Sequence, residues 1–276
     1  MSGVRFKRGW IPAGIVWVIA CGAFVAVALP SNHTANNLGE PAIITGYALF
    51  TTLLLLLLFN VRKRLPMLPL GHAHWWTLVH SVVGILAGAL FFLHTETLWP
   101  QGTYEQGLAL LLYIASLSGI FGYVIQQLYP KRLAGHGVEV IYERIPQELA
   151  VLRDAAESIV LRCTKEAKAD TLARYYVETF QWYFLRPRFL MSHLTGAGKS
   201  DYWLEQQFTT SRKYLNELER TFLDELRALA ERKDSIDFHY AAQQLMKSWL
   251  LVHIPSVIGL IALVLWHLLI VNIYGI

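Results

Sequence analysis

Long apolar runs separated by short polar stretches fill the first 128 residues and return at the C-terminal end. Five of them, approximately 11–29, 41–59, 75–94, 107–128 and 249–274, come close to or exceed the roughly 20 residues that a hydrocarbon core requires at 1.5 Å rise each. Lipid offers no partner to an unpaired backbone group, so each run must be helical and strands are excluded. The stretch 129–248 reads differently, with apolar residues at helical spacing and charges between them. Pro146 is placed to open a helix whose face carries Leu149, Leu152, Ala156 and Ile159. A second stripe is Leu215, Leu218, Phe222, Leu226 and Leu229. A third, Phe238, Ala242, Leu245 and Trp249, is expected to continue unbroken into the fifth run. The expected fold is all-α: a five-helix transmembrane bundle with a helical insertion between spans four and five, divided as 1–128, 129–248 and 249–276.

Composition supports that division. Of 276 residues, 54% are hydrophobic and 16% charged, whereas soluble domains carry about 25% charged residues, so an ordinary soluble enzyme is excluded. Arg5, Lys7 and Arg8 precede the first span, and Arg62, Lys63 and Arg64 lie between the second and third. Eighteen of the 24 Lys and Arg fall between Lys131 and Lys247, and the loops 30–40 and 95–106 hold none. Under the positive-inside rule the N-terminus and 129–248 face the cytoplasm, and the C-terminus lies outside a bacterial-type inner membrane. Spans three and five then run parallel.

The first run, although Val18-Ile19-Ala20-Cys21 resembles a lipoprotein box, is too long for a signal core and is expected to stay as a span. Trp75, Trp76, Trp99 and Trp249 fit an aromatic belt. Cys21 and Cys163 are too few and too far apart for a disulfide framework or a covalent haem site. The insertion holds 18 basic and 17 acidic residues, so no nucleic-acid partner is expected.

Histidines supply the candidate chemistry. Span three carries His80 and His94, span five His253 and His267, and both spacings are 14. Fourteen residues make nearly four helical turns, so each pair shares a face with its members about 21 Å apart along the axis. On parallel helices His80 comes level with His253 on the inner side and His94 with His267 on the outer side. Two facing neutral imidazoles in apolar surroundings suit axial ligation of a b-type haem, and two haem b follow. Gly84 and Ala87 lie on nearly the same face as His80 and leave room for a macrocycle. A single membrane histidine is as well explained by a hydrogen bond across a helix interface, but four at matched depths are not. Zinc is the weaker alternative, because a structural zinc site gathers four ligands in one place.

This pattern resembles the dihaem b-type cytochromes, a group that includes respiratory cytochrome b and the ferric reductase-like transmembrane proteins. The likeness covers spans three to five, chiefly Trp75 to Glu96 and Trp249 to Tyr274. It implies His80, His94, His253 and His267 as axial iron ligands, one pair per haem. The sequence departs from the ferric reductases in having no GxGxxG or appended flavin and nicotinamide domains, so electrons are expected from another protein. Respiratory cytochrome b has more spans and its own quinone motifs, and neither relative accounts for 129–248.

The leading expectation is a cytochrome b subunit of an oxidoreductase complex. It would carry electrons across the membrane between the quinone pool and a redox partner such as a multihaem cytochrome c or an iron–sulfur protein. A reductase of an outer acceptor fed by a cytoplasmic flavoprotein is the second reading, and a non-redox scaffold or transporter the third.

Several smaller candidates remain open. Arg64, Lys131 and Arg132 are candidate partners for haem propionates, although charge satisfying the positive-inside rule explains them almost as well. His72 and His74 suit a quinone headgroup or a proton relay, and equally an ordinary interface. His33, Glu96 and Tyr104 are weaker candidates for an outer quinone or donor site. The aromatic cluster Tyr175, Tyr176, Phe180, Trp182, Tyr183 and Phe184 is expected in a core. Gly196-Ala197-Gly198-Lys199-Ser200 lacks the first glycine of a phosphate loop and reads as a turn before a helix capped near Ser200 or Asp201. No catalytic triad or paired-carboxylate site is expected in the insertion.

Overall fold

The computed structural model describes residues 10–36, 40–64, 73–135 and 140–274, and among the described residues every regular element is helical. The chain divides into two compact units, one of Met1–Val124 with Trp249–Ile276 and one of Ile125–Ser248.

The first unit holds α1 (Trp10–Asn36), α2 (Pro41–Arg64), α3 (Ala73–Thr95), most of α4 (Thr103–Gly135) and α11 (Leu250–Tyr274). Among the described residues, five helices are long and apolar enough to cross a membrane, as in a multi-pass membrane protein. Their common core gathers Leu53 of α2, Ala87 and Phe91 of α3, Ala109 and Leu112 of α4, and Leu260 of α11. Outward faces are just as apolar: Val18, Ile19, Leu117, Ile120, Leu251 and Ile258 are more than half exposed. In water such surface would drive association, whereas hydrocarbon accepts it. α1 packs on α2 and α3, but its apolar stretch buries nothing fully.

α10 (Glu217–Ser248) leads into α11 through one intervening residue, so the helical run Glu217–Tyr274 continues as expected from the sequence, with a local irregularity at Trp249. Trp249 is a single turn residue whose carbonyl accepts from both the Val252 and the His253 amides at 3.1 Å. Pro255, inside α11, cannot supply the amide that a regular helix returns four residues back.

The second unit consists of α5 (Ile145–Ala167), α6 (Thr171–Tyr175), a π-helical turn Tyr176–Phe180, α7 (Gln181–Phe184), α8 (Leu190–Thr195), α9 (Lys199–Arg212) and α10. Pro146 sits in the first turn of α5, and Leu149, Leu152, Ala156 and Ile159 are buried along its face. Tyr176, Phe180, Tyr183 and Phe184 form a core with Phe208 and Phe222. Trp182 stays outside that core and receives the Arg188 guanidinium 3.9 Å from its ring centre. Leu218 is 45% exposed while Leu223 is buried. The cause is the start of α10. Asn216 Oδ1 accepts the Glu219 amide at 2.8 Å, and Glu219 Oε2 accepts the Asn216 amide at 3.1 Å. This reciprocal cap begins the helix one residue before Leu218 and turns the next apolar positions inward. Upstream, α9 starts after Gly198 in the left-handed region (φ 64°). The expected cap residue Ser200 instead gives its hydroxyl proton to Asp234.

One turn apart on α10, Lys233 and Asp237 form a fully buried ion pair at 2.5 Å. Lys233 Nζ also donates to the Arg186 carbonyl at 3.0 Å and lies 3.9 Å from the centre of the Tyr183 ring. Asp237 accepts the Arg188 amide at 3.1 Å. Burial pushes the Asp237 carboxyl up to about 7 against the opposing attraction of Lys233, and pushes the lysine down. Below about pH 7 the folded protein therefore holds a proton on Asp237 that the unfolded chain releases near its ordinary value of 3.8, and above that pH the carboxylate faces Lys233 as the ion pair. The sign follows: this contribution to stability is present at low pH and is lost as pH rises from about 4 to about 7. Thermal unfolding of the solubilised protein across that window is expected to show the fall, and Asp237→Asn is expected to flatten it. An unchanged slope in Asp237→Asn would contradict the assignment. Lys233→Met, which strands a buried carboxylate, should cost about 3–5 kcal/mol.

Candidate functional site

His80 and His94 lie on α3, His253 and His267 on α11, and α2 and α4 supply the groups that hold them. His94 and His267 meet directly, with ring centres 6.5 Å apart and planes crossing at 83°. Thr45 of α2 places its hydroxyl 3.0 Å from His94 Nδ1. A Cβ added to the adjoining Gly46 would stand 3.0 Å from His94 Cε1, so the bare backbone is what lets the ring lie against α2. On the other side the Tyr104 ring of α4 stacks on His267 at 6.1 Å and 20°. The Tyr104 hydroxyl donates to the Leu263 carbonyl at 2.5 Å, one turn before that histidine.

The other pair is held by neighbours of the same kinds. His253 Nδ1 lies 2.9 Å from the Ser118 hydroxyl of α4, and its Cε1 faces Gly119. Trp249 stacks on His253 at 5.3 Å and 24°, and its indole N–H donates to the Ser118 carbonyl at 2.6 Å. A Cβ at Gly122 would fall 2.0 Å from the Trp249 ring, so only glycine admits the indole there. His80 packs on Phe59 of α2, with ring centres 4.8 Å apart and planes at 36°. The direct ring-to-ring approach is thus described for His94 with His267, while His80 and His253 are described through Phe59 and through Ser118 and Trp249.

Of the remaining candidates, Gly84 opens onto free space, for a Cβ there would meet nothing within 4 Å. Ala87 does not leave room in the same way, because it is buried in the helix core. Arg64 ends α2, and its side chain lies outside the described residues. Lys131 is exposed and belongs to the second unit, as does Arg132, which donates to the Leu194 carbonyl at 3.4 Å and lies 6.0 Å from the Tyr129 ring. His72 falls outside the described residues, and His74 meets Trp75 edge-on at 5.6 Å. His33 and Glu96 are exposed, the latter ending α3 at φ 56°. Tyr104 alone among the outer candidates joins a histidine.

Thr45, Ser118 and Phe59 escaped the sequence reading. A signal for them exists: Thr45 and Phe59 on α2, and Tyr104 and Ser118 on α4, are each 14 residues apart, the interval that separates the histidines on α3 and α11.

Among the described residues, no group of three or more His, Cys, Asp or Glu gathers as it would in a closed metal cage. A two-ligand site is a different case. An imidazole–metal bond of about 2.0–2.1 Å, with about 1.1–1.2 Å from nitrogen to ring centre, sets two rings on opposite sides of one ion about 6.2–6.6 Å apart. The separation of 6.5 Å between His94 and His267 falls in that interval, and rings on opposite axial positions are free to cross at any angle. By separation alone, His94 and His267 would be able to hold one iron between them. Comparison with protein families, with curated proteins and with solved structures gives no match.

Gly122→Ala is expected to destabilise the helix bundle by about 1–3 kcal/mol through overpacking against Trp249. Gly22→Ala, where a Cβ would meet nothing, is expected to be neutral or slightly stabilising. Thermal unfolding in detergent compares the two, and equal behaviour would contradict the packing described.

Proposed function

We propose that this protein is a dihaem cytochrome b subunit that carries electrons across a bacterial-type inner membrane, between the quinone pool and a redox partner subunit. The observation that carries the reading is the approach of His94 to His267 at the distance two axial imidazoles require. His94 and His267 would hold one haem, and His80 and His253 the other. Each group, when bound, supplies a one-electron iron couple whose potential depends on its ligands and their hydrogen bonds. The chain itself provides the imidazoles, a surround of packed apolar helices, and free space beside Gly84. Arg64, at the end of α2, would be the first-unit cation for propionate pairing. The positive-inside pattern puts 129–248 on the cytoplasmic side, where an iron–sulfur protein or flavoprotein has access; a multihaem cytochrome c would dock on the opposite face.

Protein produced with an ample haem supply and purified in detergent is expected to give two haem b per chain by the pyridine haemochrome assay. His94→Ala and His267→Ala should each reduce this to one, and the double variant should reduce it no further. Folded protein without Soret absorbance would overturn the reading. Loss of different haems in the two single variants would overturn the pairing.

A further inference from the structure

The histidines are held in two distinct ways, and the pattern alternates. On α2, Thr45 reaches His94 and Phe59 packs His80; on α4, Ser118 reaches His253 and Tyr104 stacks on His267. Each expected pair therefore contains one imidazole that faces a hydroxyl, His94 or His253, and one packed by an aromatic ring of α2 or α4, His80 or His267; His253 is stacked by Trp249 as well. The hydroxyl comes from α2 in one pair and from α4 in the other.

The hydroxyl protons have another destination. Thr45 Oγ1 lies 3.1 Å from the Pro41 carbonyl and 3.2 Å from that of Ala42, and Ser118 Oγ lies 3.0 Å from the Ala115 carbonyl. A helical Ser or Thr that gives its single proton back to its own helix keeps lone pairs for acceptance. With the hydroxyl proton on the carbonyl, an arrangement the distances allow at both sites, the ring nitrogen it faces is the donor. This fixes a proton on Nδ1 and leaves Nε2 as a bare lone pair, the form an axial ligand needs. The following glycine, Gly46 or Gly119, lets the ring approach the backbone closely enough for this contact.

We infer that Thr45 and Ser118 are positioning residues that set the Nδ1–H tautomer and orientation of His94 and His253, one in each pair, so that Nε2 is presented to iron. The inference rests on the dihaem reading, and it adds that the two haems are tuned independently from different helices. An accepting hydroxyl makes the imidazole a stronger donor and favours ferric iron, so its loss raises the midpoint potential of that haem alone.

The test is a redox titration of both haems in wild type, Thr45→Val, Ser118→Ala and the conservative Thr45→Ser. Thr45→Val is expected to change the ferric-to-ferrous preference of the haem that His94→Ala removes by about tenfold, a positive shift of about 59 mV for one electron. Its retention is expected to weaken about 10–100-fold. The other haem should not move. Ser118→Ala should do the reverse, and Thr45→Ser should restore wild-type behaviour. Unmoved potentials with two haems bound, or equal shifts of both haems in either variant, overturn the inference while leaving the dihaem reading intact.

A second readout does not need the cofactor. In haem-free protein with ¹⁵N-labelled histidine, His94 and His253 are expected in the Nδ1–H form, and Thr45→Val is expected to release His94 alone from it. A wild-type protein that takes up no haem defeats the dihaem reading, and this readout still decides whether the hydroxyls set the tautomers. Nε2–H forms at His94 and His253 would overturn the inference.

Discussion

A polar ring inside hydrocarbon has to be given a partner, and the first unit of this protein is organised around meeting that demand for imidazoles. His94 and His253 each receive a hydroxyl within hydrogen-bonding distance, and His80 and His267 each receive an aromatic neighbour. α2 and α4 supply them all, so these helices serve the site as directly as the two that carry the histidines. Their sequences show the cost: Gly46 and Gly122 give up side chains so that rings can lie on backbone.

The common interval of 14 residues follows from helix geometry. Groups that meet at two depths on neighbouring helices must repeat with nearly the same axial rise, about 21 Å here, and nearly the same face. α2, α3, α4 and α11 carry this interval, and α1 packs on α2 and α3. Trp249 works at the boundary of the two units. The turn there ends α10, and its indole both stacks on His253 and binds the Ser118 backbone. A change in helix continuity at that residue would be felt directly by an imidazole.

The apolar runs, the all-helical character and the histidine interval were legible because each is a periodic signal strong enough to survive without context. Individual partners were not. Thr45 and Ser118 look like ordinary hydroxyl residues of a membrane helix, and only the packing of α2 on α3 and α4 on α11 gives them a role. No periodic signal marks Lys233 and Asp237, since charged residues one turn apart are usually exposed, yet both are fully buried in the second unit. Leu218 fitted an apolar stripe by spacing, and the Asn216 cap decided otherwise. The helical run from α10 into α11 continues with a one-residue irregularity at Trp249, for which Pro255, six residues downstream, is the sequence signal.

The most direct test of the central claim, that His94 and His267 close on one iron, is near-infrared magnetic circular dichroism of the oxidised protein. The account requires a low-spin charge-transfer band of bis-histidine character from both haems, with half of its intensity lost, and a high-spin signal or a vacant site gained, in His267→Ala. A wild-type spectrum showing histidine–methionine or five-coordinate iron would contradict it, as would a His267→Ala spectrum that keeps full bis-histidine intensity.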